Sequence, residues 1–413
     1  MYNNSLLIKN IYKLIGILEK PYPIKKGKAM SFLNEMENAF LLIEDGKIIS
    51  FGSMENCPQY AGDIVDATGS LVLPSWVDSH THIVFPKSRE HEFIDKIKGL
   101  TYEEIAQNGG GIVNSARMMN NVDKHQLYES AMQRLHEIIN MGTGAVEIKS
   151  GYGLNFDNEI KMLRVIRKIK ENSPIPVKAN FLGAHALLPE YKSQREIYID
   201  EICYKMIPYI TDNGLADYID VFCDTGFFTV DETDKILQQG AKYGLKAKIH
   251  ANELAISGGV QVGVKNNAIS VDHLERISDA EIECLANSNT VPTVLPGTSF
   301  FLKIPYAQGR KMIDSGLGIA VASDFNPGSS PSGNMNFIIS LACIYMGLMP
   351  EEAINAATIN AAHALELQDE LGSISVGKTA NLIITKKIDN IAQLPYYFGS
   401  NLVKKMVVGG KVW

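Results

Sequence analysis

The sequence is poor in cysteine, which limits the kinds of fold it can encode. Its 413 residues include five cysteines, and no two of them form a Cys-x-x-Cys pair; they are Cys57, Cys203, Cys223, Cys284 and Cys343. An odd, scattered set argues against both a disulfide framework and a cysteine zinc knuckle. Residues 1–20 also lack the pattern of a secretory signal. We therefore expect a cytoplasmic protein with reduced thiols.

Long apolar runs and an excess of positive charge are also missing. No run approaches the roughly 18 apolar residues of a transmembrane helix, so we expect no membrane partner. Lysine and arginine number 39 against 46 aspartates and glutamates, a formal charge of −7. Because binding a phosphate backbone requires a basic face, we expect no nucleic-acid partner. The hydrophobic share of 46% is typical of a globular protein and excludes a disordered chain.

Both ends of the sequence predict β-strands. Apolar runs at 39–43 and 48–52 flank an Asp-Gly turn, which predicts a hairpin. A β-branched run at 381–385 and a strand at 407–413, with a Gly-Gly turn, have the same character. We expect one small β-sandwich domain assembled from both ends of the chain, residues 1–69 and 371–413.

The middle of the sequence alternates between predicted strands and helices. Apolar runs predict strands at 71–73, 145–148, 177–182, 218–222, 245–249, 268–271, 291–295 and 318–322. Helical stretches are predicted at 124–140, 158–171, 231–243, 279–288 and 310–315. Repeated strand–helix units indicate parallel strands. About eight such strands favour an α/β fold in which residues 70–370 form a (β/α)₈ TIM-like barrel, not an open sheet.

Histidine and aspartate cluster just after the predicted strands. His80 and His82 follow the run at 71–73, while His250 and Asp324 follow two later strands. Because active sites of barrel enzymes lie at the C-terminal ends of the strands, we expect these side chains to meet. A His-x-His pair alone is weak, since about 0.2 pairs are expected by chance from nine histidines. Three imidazoles and one carboxylate suit Zn²⁺ or iron and leave a position for water.

Two further side chains are candidates for proton transfer. His273 ends the next predicted strand, where it could take or give a proton. A core histidine bonded to backbone is the alternative. Glu253 follows His250 by three residues, and a short helix starting there would point both side chains the same way. A solvated loop carboxylate or a helix N-terminal charge is the alternative for Glu253.

Loop residues between the strands favour an anionic small molecule as the ligand. Arg89 lies in the first long loop and suits a bidentate contact with a carboxylate, although a surface arginine is the more common case. Tyr152 and His185 follow other strands, and the turn at 326–330 follows Asp324. The Gly-Gly-Gly at 109–111 has no Gly-Lys-Ser/Thr after it, so a phosphate-binding P-loop is excluded.

Taken together, these segments resemble the amidohydrolase superfamily. The superfamily pattern is visible in the segments 73–82 (LPSWVDSHTH) and 377–384 (GKTANLII). Four more segments are similar to the branch that opens the ring of 4-imidazolone-5-propanoate in histidine breakdown: 147–154, 181–186, 295–301 and 323–329. Ser75 replaces the usual glycine and Asn381 the usual aspartate, and both are interpreted as structural positions.

The resemblance implies a set of ligands and contacts. It implies one Zn²⁺ or Fe³⁺ per subunit, because neither Lys149 nor Lys178 is placed as a bridging lysine; the metal ligands would be His80, His82, His250 and Asp324. The implied substrate contacts are Arg89, Tyr152, His185, Glu253 and Ser329, and the implied product contacts are Asn326 and Gly328.

The implied reaction is hydrolysis of a cyclic amide to N-formimidoyl-L-glutamate, the third step of L-histidine degradation. Hydroxide attacks the ring carbonyl, and His273, Asp324 and Glu253 are the implied catalytic residues. An aminohydrolase acting on a nucleobase-like ring is the alternative, although Arg89 favours a substrate with a carboxylate. A non-catalytic assembly module is disfavoured because all the ligand positions are filled. The expected partners are the small-molecule substrate and water, and the expected assembly is a homodimer.

Overall fold

The strands of the protein form two eight-stranded sheets. The computed structural model describes residues 5–19, 24–60, 62–100, 104–105 and 109–413. One sheet is mixed and takes strands from both ends of the chain, and the other is a parallel barrel formed by the middle. The expected class, an α/β barrel with a small β-sandwich domain from both termini, is confirmed.

The mixed sheet brings the two ends of the chain together. Its path runs β16-β15-β14-β5-β1-β2-β3, with β4 paired to β1. The bounds are β1 (Ser5–Ile15), β2 (Glu35–Glu44), β3 (Lys47–Ser53), β4 (Asp63–Asp66), β5 (Ser70–Pro74), β14 (Leu382–Lys387), β15 (Val403–Val408) and β16 (Lys411–Val412). The predicted hairpin is β2–β3, whose turn residues Asp45 and Gly46 have φ of 47° and 78°. Two positive φ values in a two-residue turn explain the Asp-Gly sequence.

The barrel strands pair in chain order, each parallel to the next. They are β6 (Trp76–Asp78), β7 (Thr143–Lys149), β8 (Val177–Ala184), β9 (Tyr218–Cys223), β10 (Lys246–Ala251), β11 (Ser270–His273), β12 (Val291–Val294) and β13 (Ala320–Val321). A parallel bridge between Thr81 and Phe325 joins the two ends of this order. Asp324 N donates to His80 O over 3.0 Å beside it. The barrel is thus closed by the segments that carry the candidate metal ligands.

Most helices in the described residues connect or follow the barrel strands, and the last one lies between β14 and β15 of the mixed sheet. They are α1 (Glu90–Ile97), α2 (Gly111–Met119), α3 (Lys124–Asn140), α4 (Phe156–Asn172), α5 (Arg195–Glu201), α6 (Ile207–Asp212), α7 (Val230–Lys242), α8 (Gly259–Lys265), α9 (Asp279–Ala286), α10 (Pro296–Leu302), α11 (Gly309–Asp314), α12 (Met335–Met346), α13 (Pro350–Asn355), α14 (Ala361–Ala364) and α15 (Gln393–Tyr396). All five predicted helices are confirmed to within about two residues. No helix in the described part of the chain is long and apolar enough to cross a membrane.

The periodicity that predicted α4 has a direct packing cause. Asn155 begins the helix by accepting a hydrogen bond from Asn158 N through its side chain. Apolar residues three or four apart then share one face, and Ile160, Leu163 and Ile166 are buried. Burying each such side chain contributes about 1.5–3 kcal/mol. The predicted helices α3 and α7 likewise begin at a side-chain cap and bury one face.

One predicted barrel strand was wrong. Leu71–Leu73 lie in β5, which pairs with β1 and β14 in the mixed sheet. The first barrel strand is β6, three residues further on, and the chain changes sheets at Ser75, whose N–H donates to Asn381 O. Both strands are short and wholly buried, so neither alternates between apolar and polar residues, and sequence periodicity cannot assign them to a sheet. The division into domains at 69/70 and 370/371 stays a prediction.

Candidate active site

Three histidines and an aspartate converge at the C-terminal mouth of the barrel. One ring nitrogen from each of His80, His82 and His250 lies within 4.8 Å of the others. Asp324 Oδ1 is 3.5 Å from His80 Nε2 and 3.4 Å from His82 Nε2. All four side chains are buried. His250 lies inside β10, one residue before its end, whereas His80, His82 and Asp324 follow β6 and β13.

The chemistry of these donors fits a metal ion. His80 Nδ1 is 2.7 Å from Asp272 Oδ2, and His250 Nδ1 is 3.0 Å from Asp220 Oδ1. These bonds fix the proton on Nδ1 and leave Nε2 with a free lone pair. His250 Nε2 is buried and has no hydrogen-bond partner among the described residues. Burial lowers the pKa of His80 well below its usual value and that of His250 to about 3, so both rings are neutral.

A buried ionic cluster lies directly beneath the histidines. Lys149 Nζ is 2.8 Å from Asp220 Oδ2 and 3.7 Å from Asp272 Oδ2, so one ammonium contacts both carboxylates that orient the histidines. Glu147 pairs with Lys149 at 2.5 Å and also with Lys248. Burial lowers the pKa of Lys149, but Asp220 and Glu147 outweigh it and raise that pKa above its usual value. Lys149 is therefore engaged beneath the site.

Sequence reasoning missed this cluster. The members other than Lys149 were not singled out: Glu147, Asp220, Lys248 and Asp272. A signal was available, because buried strands carry charged residues two positions apart, as in Glu147 and Lys149. Residues at i and i+2 of a strand point the same way. Charges at this spacing inside an otherwise apolar barrel strand indicate an ionic layer within the barrel.

His273 lies beside two carboxylates at the mouth. Its Nδ1 is 3.4 Å from Glu275 Oε1 and 3.8 Å from Glu253 Oε2. Burial opposes a charge on the ring, but Glu253 and Glu275 raise the pKa of His273 to about 10. Burial raises the pKa of Glu253 to about 8. The φ of His273 is 86°, a positive value that is uncommon for a residue other than glycine and that occurs often at functional sites.

The Glu253 side chain reaches the site, although the short helix that was expected to start near His250 does not form. Residues 252–255 form a bend, and α8 begins only at Gly259. Asp224 stabilises the bend, because its carboxylate accepts hydrogen bonds from Leu254 N at 2.9 Å and Ala255 N at 3.2 Å. The alternative of a solvated loop carboxylate is also wrong, since the Glu253 side chain is only 12% exposed.

Six of the seven predicted contact residues, all but Gly328, line one pocket over the histidines. Its wall includes Arg89, Tyr152, His185, Glu253, Asn326 and Ser329. Arg89 is 8% exposed, so the surface alternative is wrong. Its Nε lies 3.1 Å from Glu92 Oε2, and Glu92 also accepts a hydrogen bond from Gly111 N at 3.0 Å. The guanidinium packs closely against Gly328, because a Cβ at that position would lie 1.7 Å from Arg89 Nη2.

The loop that carries Tyr152 is organised by a buried carboxylate. Glu159, on α4, accepts hydrogen bonds from Gly153 N at 2.6 Å and Leu154 N at 3.0 Å. His185 contacts the same loop through its Nδ1, 2.9 Å from Gly151 O. Burial lowers the pKa of His185 to about 4, so the ring is neutral. Glu159 was not singled out from the sequence, where a charge at the start of α4 indicates only a helix N-terminus.

A hydrogen bond holds the Asp324 carboxylate on the side that faces away from the histidines. Thr298 Oγ1 donates to Asp324 Oδ2 over 2.6 Å, which leaves Oδ1 directed at the histidines. Asn326 Oδ1 accepts from Gly328 N and Ser329 N, each at 2.8 Å, and fixes the turn that follows. Thr298 was quoted in a sequence segment without a role. The threonine and Asp324 are 26 residues apart, and only the pairing of β12 with β13 brings them together.

Comparison with known proteins agrees with this geometry. A sequence model of the amidohydrolase family matches residues 71–413. An imidazolonepropionase from Flavobacterium johnsoniae is 54% identical over 407 residues, 98% of this chain and 99% of that protein. One from Christiangramia forsetii is 50% identical, covering 99% of this chain and all of the other. The chain belongs to the imidazolonepropionase family. Its members also include a Geobacillus kaustophilus protein that is 40% identical, with 94% of this chain and 93% of that protein covered.

Solved structures of two other enzymes share this fold. An atrazine chlorohydrolase from Arthrobacter aurescens, complexed with zinc, has a TM-score of 0.75 at 16% identity, with 98% of this chain and 94% of that chain covered. An adenosine deaminase from Xanthomonas campestris with bound zinc has a TM-score of 0.72 at 16% identity, with 98% and 92% covered. At this identity the likeness shows the fold alone.

Proposed function

We propose that the protein is an imidazolonepropionase, which hydrolyses 4-imidazolone-5-propanoate to N-formimidoyl-L-glutamate in the third step of L-histidine degradation. The observation that carries the proposal is the position of Arg89. A buried guanidinium lines the same pocket as His82, His250 and Asp324. A substrate with a reactive ring and a short acidic tail places its tail at Arg89 and its ring at the histidines and Asp324.

The metal site of the proposal consists of His80, His82, His250 and Asp324, with one Zn²⁺ or Fe³⁺ per subunit. Such an ion lowers the pKa of a water molecule and polarises a carbonyl. The carboxylates of Asp220 and Asp272 keep the histidine rings oriented. This donor set suits either ion.

Two residues would transfer protons in the proposed reaction, and a third would orient the ring. Asp324 accepts the proton of the attacking water and passes it to the ring nitrogen as the C–N bond breaks. His273 donates from Nε2 to the oxygen of the tetrahedral intermediate, since its Nδ1 faces Glu253 and Glu275. Glu253 orients the ring by accepting from a ring N–H. The water supplies the oxygen of the new carboxylate, and the nitrogen leaves as the formimidoyl amine.

The remaining pocket residues would position substrate and product. Arg89 binds the propionate, while Tyr152, His185 and Ser329 contact the rest of the substrate. Asn326 and Gly328 contact the opened product. Binding of the tail would supply energy that holds the ring carbonyl beside the candidate metal ligands. Such positioning is how binding energy far from the reacting bond contributes to catalysis.

We propose a cytoplasmic homodimer. The five cysteines are all unpaired, as a reducing compartment favours. A two-fold dimer is the commonest assembly for a soluble enzyme. Light scattering of the purified chain measures the mass directly, and a monomer or higher oligomer would contradict the dimer.

The test is hydrolysis of freshly generated 4-imidazolone-5-propanoate, followed by loss of ring absorbance. We expect turnover by the wild type and a fall in kcat/KM of about 10–100-fold for Arg89→Ala, mainly through KM, because a charged hydrogen bond to the tail is lost. Arg167→Ala is the control, since Arg167 is half exposed on α4 and pairs with Glu171. If the metal-loaded wild-type enzyme does not hydrolyse this substrate but deaminates a nucleobase-like ring, the result would favour the aminohydrolase alternative.

A further inference from the structure

A second cation, Lys96, lies near Arg89 in the last turn of the helix that follows it. Arg89 immediately precedes α1, and Lys96 is seven residues later on the same helical face. Lys96 Nζ donates to Gly328 O over 3.1 Å. Gly328 is also the residue against which the Arg89 guanidinium rests. The ammonium and the guanidinium therefore flank one residue of the turn that follows Asp324.

The charge of Lys96 is poorly compensated where it lies. Its Nζ is 5.0 Å from the centre of the Phe301 ring, so the ammonium meets an aromatic face and a carbonyl oxygen. The ion pair formed by Glu92 in this corner goes to Arg89, and Glu253 is the other carboxylate that acts on Lys96. Burial and the charge of Arg89 together lower the pKa of Lys96 to about 8, against the opposing charges of Glu92 and Glu253. In this partly buried corner Glu92 pairs with Arg89, while Lys96 meets an aromatic face and a carbonyl oxygen, so the corner favours an incoming anion.

We infer that Lys96 is a specificity-determining residue that, with Arg89, forms a two-cation site for a carboxylate on a short tail of the substrate. The inference rests on the proposed function and extends it. Arg89 contacts the carboxylate directly, and Lys96 strengthens its binding electrostatically from behind Gly328. A ring substrate with an uncharged tail gains nothing from Lys96.

The test compares two substrates in the wild type, two Lys96 variants and one control variant. One substrate is 4-imidazolone-5-propanoate and the other is its propanamide, which has nearly the same shape without the charge. For Lys96→Met we expect KM for the acid to rise about tenfold with kcat within twofold, and kinetics for the amide to stay unchanged. Lys96→Arg keeps the charge, and we expect it to retain most of the affinity for the acid. Lys98→Met is the control, because Lys98 is on the same segment and 65% exposed.

Two other results would contradict the role of Lys96. An equal loss for acid and amide would show that Lys96 only supports the Gly328 turn, and an unchanged KM for the acid would show that its charge is not used. Either result overturns the inference. Failure of the wild type to hydrolyse the acid would instead overturn the proposed function, and so the two failures are distinguishable. Thermal unfolding of each variant checks that the fold is intact.

Discussion

At the scale of single residues, Gly328 leaves room for the guanidinium of Arg89. A Cβ added there would be 1.7 Å from Nη2 and 2.2 Å from Cζ of Arg89. Gly328→Ala must therefore displace the arginine, and we expect KM to rise at least tenfold with a smaller change in kcat. Steady-state kinetics measures both. Gly399→Ala is the control, since an added Cβ there meets no atom within 4 Å. A wild-type KM in Gly328→Ala would contradict the role of Arg89 in substrate binding.

A second residue-scale prediction concerns the carboxylate that orients His80. Asp272→Asn weakens the bond to His80 Nδ1 and removes a charge from beside Lys149. We expect metal affinity to fall about 10–100-fold, as is typical when such a partner is lost. Competition with a chromophoric chelator measures the dissociation constant without relying on turnover. Asp389→Asn, at an exposed position, provides the control. Equal affinity in both variants would contradict this role.

The candidate ligands could be found from the sequence because each lies at or just past a strand end. His80, His82, His250 and Asp324 follow from that rule, and the structure brings them together. The layer beneath them could not be found in the same way. Asp220 and Asp272 contact histidines 30 and 192 residues away. Such pairs exist only once the barrel has closed, and no local pattern encodes closure.

At the scale of elements, the junction of α5 and α7 carries a pH-dependent ion pair. Arg195 begins α5 and donates to both carboxylate oxygens of Glu232, at 2.7 and 2.6 Å. Glu232 also accepts from Thr229 N and completes the capping box of α7. Burial raises the pKa of Glu232, but Arg195 and Thr229 outweigh it and lower that pKa in the folded protein. The folded state therefore binds fewer protons than the unfolded state over this range.

The stability from this pair is present above the unfolded pKa of about 4.3 and is lost as pH falls through the lower folded value. Glu232→Gln retains an acceptor for Thr229 N but removes the charge. We expect it to lower the free energy of unfolding by about 1 kcal/mol at pH 7 and to have little effect near pH 3. Urea unfolding at the two pH values measures the difference. Glu171→Gln, in an exposed pair with Arg167, should change stability less; a pH-independent loss in Glu232→Gln would contradict the ionic explanation.

Elements differ in how far the sequence predicts them. The long helices α3 and α4 have one buried and one exposed face, so their periodicity indicates both type and extent. The strands β5 and β6 are buried on both faces, and their sequences do not distinguish the two sheets. The bend at Glu253 depends on hydrogen bonds to Asp224, which lies 30 residues earlier. Contacts distant in sequence therefore decided the features that were predicted wrongly.

At the scale of the whole molecule, the candidate ligands tie together distant parts of the barrel. They come from segments at β6, β10 and β13, so a bound ion crosslinks the fold. Because an ion that binds only the folded state stabilises it by mass action, about 2.7 kcal/mol at 100 times the dissociation constant, we expect Tm to rise with Zn²⁺ concentration. Thermal unfolding with and without chelator measures the shift. The shift should vanish in His250→Ala; if it persists there, the ion binds elsewhere.

The order of strands in the mixed sheet has a consequence for synthesis on the ribosome. β5 pairs on one side with β1 and on the other with β14, whose residues are translated more than 300 positions later. Until Leu382–Lys387 emerge, the nascent chain presents β5 as an open edge, and the apolar side chains of Leu382, Ile384 and Val407 are missing from the core they share with β1 and β2. An open edge invites pairing with other chains. Translation that stops before β14 would therefore leave an aggregation-prone product that chaperones and proteases must handle.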